Sequence, residues 1–195
     1  MFVYIVRCNF TAPDQEQAWN SWYSGPKIEQ MLSKPYFRSC QRFRRHAGEG
    51  RDYLALWTVE SPEAFQRREY TTDWGFFEWE RYITDWSRDL FDGGGAREPA
   101  FAVRPDGTLQ VVAFDHMAAS DAAARSAAIA RSEPALMWLP IAGLDRHTPL
   151  IGLAPSSGIA PEARRYGDGV QGAIYRPISP QYRTVADSAQ PQASA

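Results

Sequence analysis

Cysteine, histidine and concentrated charge are all scarce in this chain, and each scarcity narrows what it can do. The two cysteines, Cys8 and Cys40, have no Cys-x-x-Cys spacing and fall in apolar, strand-like segments. Neither a zinc site nor a disulfide framework is indicated, and buried free thiols are expected. The three histidines, His46, His116 and His147, lie far apart in sequence; no helical metal motif exists and no metal is expected. The formal net charge is -2, and the local run of arginine is confined to Arg42, Arg44 and Arg45. That gives no field of the kind that draws a protein to nucleic acid. No apolar stretch approaches the ~18–20 residues of a membrane span, and no basic region precedes the apolar run at Met1 to Arg7. A cytoplasmic protein with no nucleic-acid or membrane partner is the expectation. Gly93-Gly94-Gly95 lacks the Lys-Ser/Thr and helix that complete a phosphate loop, and neither Gly-x-Ser-x-Gly nor a dinucleotide fingerprint occurs. Cofactor-free chemistry, or no chemistry, follows.

What the chain does have is enough apolar character to fold well. Its 195 residues are 44% apolar, sufficient for one medium domain or two small ones of ~90 residues. Phe2 to Phe10 is β-branched and aromatic without a turn former, and reads as a strand. Thr11-Ala12-Pro13-Asp14 supplies the cap, early proline and acid of a helix start. Within that helix Trp19, Trp22, Tyr23, Ile28, Met31 and Leu32 recur at three- and four-residue spacing as one apolar face. Gly25-Pro26 should break or kink it, since proline removes a helical hydrogen bond. Phe37 to His46 and Tyr53 to Glu60 read as an antiparallel pair joined by a glycine-bearing loop. Ser61-Pro62-Glu63 opens a second expected helix over Ala64 to Tyr82, interrupted near Gly75, and Ile83 to Phe91 makes a fourth strand.

The order β-α-β-β-α-β is that of a split βαβ, ferredoxin-like module, so the expected fold class is α+β, with residues 1–92 as the first domain and a glycine-rich boundary after it. Residues 100–182 read as a second, smaller α+β domain. It has a hairpin around Arg104-Pro105-Asp106-Gly107, an alanine-rich helix over Asp121 to Arg131, and strands at Leu136 to Ala142, Leu150 to Ala154 and Val170 to Ile178. Its element order is a shortened echo of the first half without a residue-by-residue repeat. Residues 183–195 are rich in Ser, Ala, Gln and Pro and are expected to be a disordered tail.

Three groups of residues resemble a known superfamily: Trp22-Tyr23-Ser24-Gly25-Pro26-Lys27, then Pro35-Tyr36-Phe37 with Arg42-Phe43, then Tyr53-Leu54-Ala55-Leu56-Trp57 followed by Glu60 to Phe65. Over about residues 1–92 the chain resembles the dimeric α/β barrel superfamily, in particular small enzymes with a Trp-Tyr-Asp-x-x-His-like first helix. The resemblance implies two ferredoxin-like units pairing their sheets as a barrel, with a pocket between sheet and helices. It also implies either a homodimer or, if the second half is a degenerate copy, a pseudo-dimeric monomer. Members include cofactor-free quinol monooxygenases, polyketide cyclases, lactone isomerases, haem-dependent peroxidases and proteins without known activity, so fold alone does not choose a chemistry. Here Lys27 stands where the family has histidine and Ser24 where it has aspartate. A lysine exchanges protons near neutral pH only when its pKa is lowered.

Tyr23 and Lys27 stand four apart and share a helix face if the turn survives Pro26. They are the candidate catalytic pair, Tyr23 orienting an oxygen and Lys27 holding negative charge; the plain alternative is a rim tyrosine and a solvated lysine. Alternation along the strand places Arg38, Arg42 and Arg44 with Cys40 and His46 on one side, and Phe37, Ser39, Gln41 and Phe43 on the other. An inward Arg42 could receive a carboxylate. The aromatic run from Asp73 to Trp86 could line a flat apolar pocket. Trp22, Trp74 and Trp79 are the candidate ligand contacts, with Glu78 or Asp85 a conceivable base if buried. The expected function is a cofactor-independent isomerase, cyclase, lyase or monooxygenase acting on a small aromatic or polyketide-like oxygenated metabolite. The rival is a non-catalytic ligand-binding or assembly protein of the same fold.

Overall fold

A computed structural model of the chain describes residues 1–95, 101–157 and 162–184. Eight of its strands close into one antiparallel barrel. Strand β1 is Phe2–Phe10, β2 Phe37–Gly48, β3 Tyr53–Val59 and β4 Ile83–Asp92. In the second half β5 is Thr108–Ala113, β6 Met137–Leu144, β7 Leu150–Ser156 and β8 Gln171–Pro177. Hydrogen bonding runs β3-β1-β4-β6-β7-β5-β8-β2, and β2 returns to β3 to complete the ring. The seams between first-half and second-half strands are β4 against β6 and β2 against β8. A two-residue β9, Tyr182–Arg183, extends the sheet beside Ser39 and Cys40, so the expected tail begins in a strand; the rest of that tail, 185–195, lies outside the described residues, as does 96–99 of the glycine-rich boundary.

This corrects the expected ferredoxin-like βαββαβ dimeric α/β barrel: the chain is a closed β-barrel with few helices. The largest departure is the second helix expected over residues 64–82. That stretch holds one four-residue helix, α3, Arg68–Thr71, between the 3-10 turns Pro62–Gln66 and Phe77–Tyr82. The cause is local. Thr71 and Thr72 are β-branched, Gly75 takes φ +103° and Phe77 φ +53°, and the aromatic side chains lie along the sheet instead of recurring on one helical stripe.

The first helix forms as the spacing predicts, with a different solution at Gly25-Pro26. Helix α1, Glu16–Trp22, passes into a π turn, Tyr23–Lys27, and then into α2, Ile28–Leu32. The wider turn accommodates the proline ring without ending the helix, and such insertions are frequent at functional sites. The first turn of this helix is 3-10, Pro13–Gln15. In the second half the long helix α4, Ala119–Ser132, covers the outside of its sheet.

Strand alternation sends one set of side chains into the barrel and the other outward. Inside lie Val3, Ile5, Phe43, Leu56, Leu109 and Ile151 with their neighbours. Outside, beneath the first helix, lie Tyr4, Val6, Cys8, Trp19, Cys40 and Trp57; a smaller outer cluster, including Phe114 and Leu136, packs under α4. A bulge between Phe37 and Ser39 breaks the expected alternation, so Phe37 joins Cys40 on the outer face. Both cysteines are buried and free. One end of the barrel interior is polar: Asp115 receives Arg7 and Arg51 at 2.7 Å each and the Thr148 hydroxyl at 2.6 Å. These groups come from both halves, so the charge cluster ties the ring together.

Candidate active site

The outer face of the first four strands and the first helix do not meet fully, and the gap is a cleft with about 380 Å³ of free space including its open mouth. Strand β1 contributes Tyr4 and Val6, β3 contributes Trp57, and β4 contributes Trp86 and Arg88. The helix supplies Tyr23, Lys27 and Met31, and the segment from α3 onward closes the cleft with Tyr70, Trp74, Gly75 and Phe76. The π turn is what aims Tyr23 and Lys27 inward, one from each end of the Gly25-Pro26 step.

Three of the expected residues therefore meet at one cavity: Tyr23, Lys27 and Trp74. Lys27 is 5% exposed. Its Nζ donates to Gln30 Oε1 at 3.2 Å and stands 4.8 Å from the centre of the Phe77 ring. Among the described residues no carboxylate comes within ion-pair distance of it. Burial therefore lowers its pKa from 10.5 to about 8, against an opposing pull from Asp73 and with a further push from Lys34. Tyr23 is equally buried, and desolvation raises its pKa far above the usual phenol value. It stays protonated, a hydrogen-bond donor rather than a base.

Other expected contacts lie elsewhere. Trp22 and Trp79 pack on one another with ring centres 6.2 Å apart, outside the cavity wall. Arg42 is 2% exposed under α1. Its guanidinium donates to the Asn20 carbonyl at 3.1 Å, Ser24 Oγ at 2.9 Å and Asn20 Oδ1 at 2.8 Å, and lies 4.2 Å from the Tyr23 ring centre. It braces the π turn from below, and Ser24 serves as its acceptor. Glu78 and Asp85 are exposed. Asp52 pairs with Arg45 at 2.5 Å.

Tyr4, Tyr70 and Arg88 were missed by sequence reasoning. The Tyr4 and Tyr70 hydroxyls lie 3.3 Å apart, Arg88 Nη1 donates to the Tyr70 hydroxyl at 3.2 Å, and Arg88 Nε donates to Asp145 at 3.1 Å. The Arg88 guanidinium also covers the Trp74 ring at 4.0 Å. Alternation in β4 was the available signal, because Trp86, Arg88 and Leu90 share the parity opposite to Ser87, Asp89 and Phe91. Tyr4 keeps its proton through burial, and so does Tyr70. The cavity thus has aromatic walls, three phenols, two cations and no carboxylate. Its wall holds no histidine or cysteine, and no cluster of three or more metal-ligating side chains occurs among the described residues.

No protein-family model and no curated protein sequence matches the chain. Solved structures do match. An anthrone oxidase-like protein aligns over 100% of this chain and 96% of its own, with a TM-score of 0.55 and 12% identity. A mutant chlorite dismutase from Candidatus Nitrospira defluvii aligns over 90% of this chain and 91% of its own, with a TM-score of 0.50 and 11% identity. The likeness is one of fold. No helix among the described residues is long and apolar enough to cross a membrane.

Proposed function

We propose that the chain is an enzyme of oxidase or monooxygenase type, or a related proton-transfer enzyme, acting on a small flat aromatic oxygenated compound without help from a metal. The observation that carries this reading is the wall of one cavity. Lys27, with a pKa of about 8, and the protonated Tyr23 face the same aromatic cleft, with Arg88 on its sheet side. At pH 7 a group of pKa 8 is ~10% neutral, enough to take a proton from an acidic phenol or an activated C–H. The resulting ammonium and Arg88 then stand beside the anion, and Tyr23 donates to its oxygen. An electron-rich enolate or phenolate is the form that reacts with oxygen or reprotonates elsewhere, so one site serves oxygenation and isomerisation alike. The likeness to an anthrone oxidase-like protein supports this choice of ligand.

The ligand lies against the Trp74 to Phe76 segment, which closes the cleft and in which Gly75 holds positive φ. The test is oxygen uptake and absorbance change with an anthrone as substrate. Turnover that falls at least ~100-fold in both Tyr23→Phe and Lys27→Met supports the assignment; turnover unchanged in both overturns it, and tight binding with no turnover in the native protein favours a ligand-binding role.

A further inference from the structure

Of the chain's 21 Lys and Arg residues, Lys27 and Lys34 alone are lysines. Both sit on the same helical arm, and the structure treats them differently. Lys34 is tied down: its Nζ donates to the Glu69 carbonyl at 2.5 Å and pairs with Asp73 at 3.4 Å. Lys27 reaches the cavity with an amide and an aromatic face as its neighbours. A chain that meets its other needs for positive charge with arginine keeps a lysine where charge is costly. A guanidinium would bind an anion there more durably, because it is more weakly hydrated and stays protonated. What lysine offers and arginine does not is a free electron pair.

We propose that the Lys27 amine is a nucleophile that condenses with the carbonyl group of a flat aromatic aldehyde or ketone bound in this cavity, forming an imine. The inference rests on the reading of the cleft as a ligand site and adds a substrate class and a covalent step to it. In that step the nitrogen lone pair forms the C–N bond and the C=O π pair moves to oxygen, which takes one proton from the nitrogen and a second from solvent; water then leaves with the C–O pair as the nitrogen pair forms the C=N bond, giving a protonated imine. No oxidant or reductant is consumed. The iminium then draws electrons from the neighbouring carbon, which acidifies a C–H there and suits proton-transfer chemistry. Desolvation in an apolar pocket supplies the neutral amine, with Asp73 and Lys34 as the charged groups acting on it.

The test uses the full chain with 2-naphthaldehyde and sodium cyanoborohydride at pH 8, followed by peptide mass mapping. In parallel, 2-naphthol, which has no carbonyl, is titrated against the tryptophan fluorescence of Trp74 and Trp86. The expected result is one naphthylmethyl group on Lys27, in excess over Lys34 and the N-terminus by on the order of tenfold or more, because the aromatic cavity holds the aldehyde beside the Lys27 amine. Labelling of Lys27 should persist in Lys34→Arg and be blocked by excess 2-naphthol. Lys27→Met and Lys27→Arg should both lose the label while still binding 2-naphthol. Binding of 2-naphthol without label on Lys27, or label spread evenly over the three amines, overturns the imine while leaving the site standing. Neither binding nor selective label overturns both.

Discussion

Replacing Lys27 by methionine should stabilise the folded chain at neutral pH, an unusual outcome for a buried position. The fall in pKa from 10.5 to about 8 corresponds to about 3 kcal/mol of penalty for keeping the charge on the folded protein. Methionine has similar length and no charge, but it gives up the contact with the Phe77 ring, worth ~0.5–2 kcal/mol, and the hydrogen bond to Gln30, worth ~0.5–1.5 kcal/mol. Taking the middle of each range, the net gain below pH 8 is about 1 kcal/mol. Its size changes with pH in a defined way. Between pH 8 and pH 10.5 the unfolded chain binds more protons at Lys27 than the folded chain does, so the native protein gains stability as pH rises through that window. The advantage of Lys27→Met must shrink over the same window and vanish near its top. Urea unfolding of both proteins at pH 7 and pH 10, with equal m values as the check on two-state behaviour, measures the difference directly. A variant less stable than the native chain at pH 7, or a difference that does not move with pH, would refute the argument. Retaining lysine at a cost in stability is what a functional group does.

Asp73→Asn should lower the Lys27 pKa below 8, because Asp73 is the group that raises it; the pH at which Lys27 is labelled should shift down with it. The same change takes the charge off the acceptor of Gln30 and Lys34 and weakens both bonds, so the Trp74 segment should show faster amide exchange. Tyr70→Phe breaks the hydroxyl contacts to Tyr4 and Arg88 and should cost ~1 kcal/mol in thermal or urea unfolding. Asp115→Asn leaves Arg7 and Arg51 inside the barrel without their shared carboxylate and should cost ~3–5 kcal/mol. Although burial pushes Asp115 up, Arg7, Thr148 and Arg51 hold its pKa below the usual aspartate value. Its contribution is therefore present above the unfolded value of ~3.9 and lost as pH falls through the folded one, so the variant should show a shallower acid-unfolding profile.

The strands were legible in the sequence because burial on both faces leaves a plain record of β-branched and aromatic runs. Phe2–Phe10 and Tyr53–Val59 stand where composition places them. That no long helix forms over 64–82 was not legible: a cap, a proline and an acid at Ser61-Pro62-Glu63 are also the start of a 3-10 turn, and nothing local distinguishes aromatics that lie flat on a sheet from aromatics on a helical stripe. Barrel closure depends on pairings such as β4 with β6 and β2 with β8, which join residues too distant for any local pattern to record. In the site, Tyr23 and Lys27 were found because a helical repeat of four survives the π turn. Trp79 stands in the ligand set on aromatic density and Trp22 on its place at the Gly25-Pro26 bend, and neither signal separates core from cavity. Arg42 was given the right strand but a different duty, since its partner proved to be the helix backbone and Ser24. Phe37 changed sides because one bulge inverts alternation for every residue before it.

The central claim is that Lys27 is an uncharged-capable amine facing a ligand cavity. A chain with lysine at Lys27 and Lys34 alone gives two side-chain signals when lysine is labelled with ¹⁵N at Nζ and ¹³C at Cε, and Lys27→Met identifies which is Lys27. The account predicts that this signal titrates near pH 8 and moves when 2-naphthol is added. A Lys27 signal that titrates at the ordinary lysine value of ~10.4 and stays in place with 2-naphthol present would contradict it.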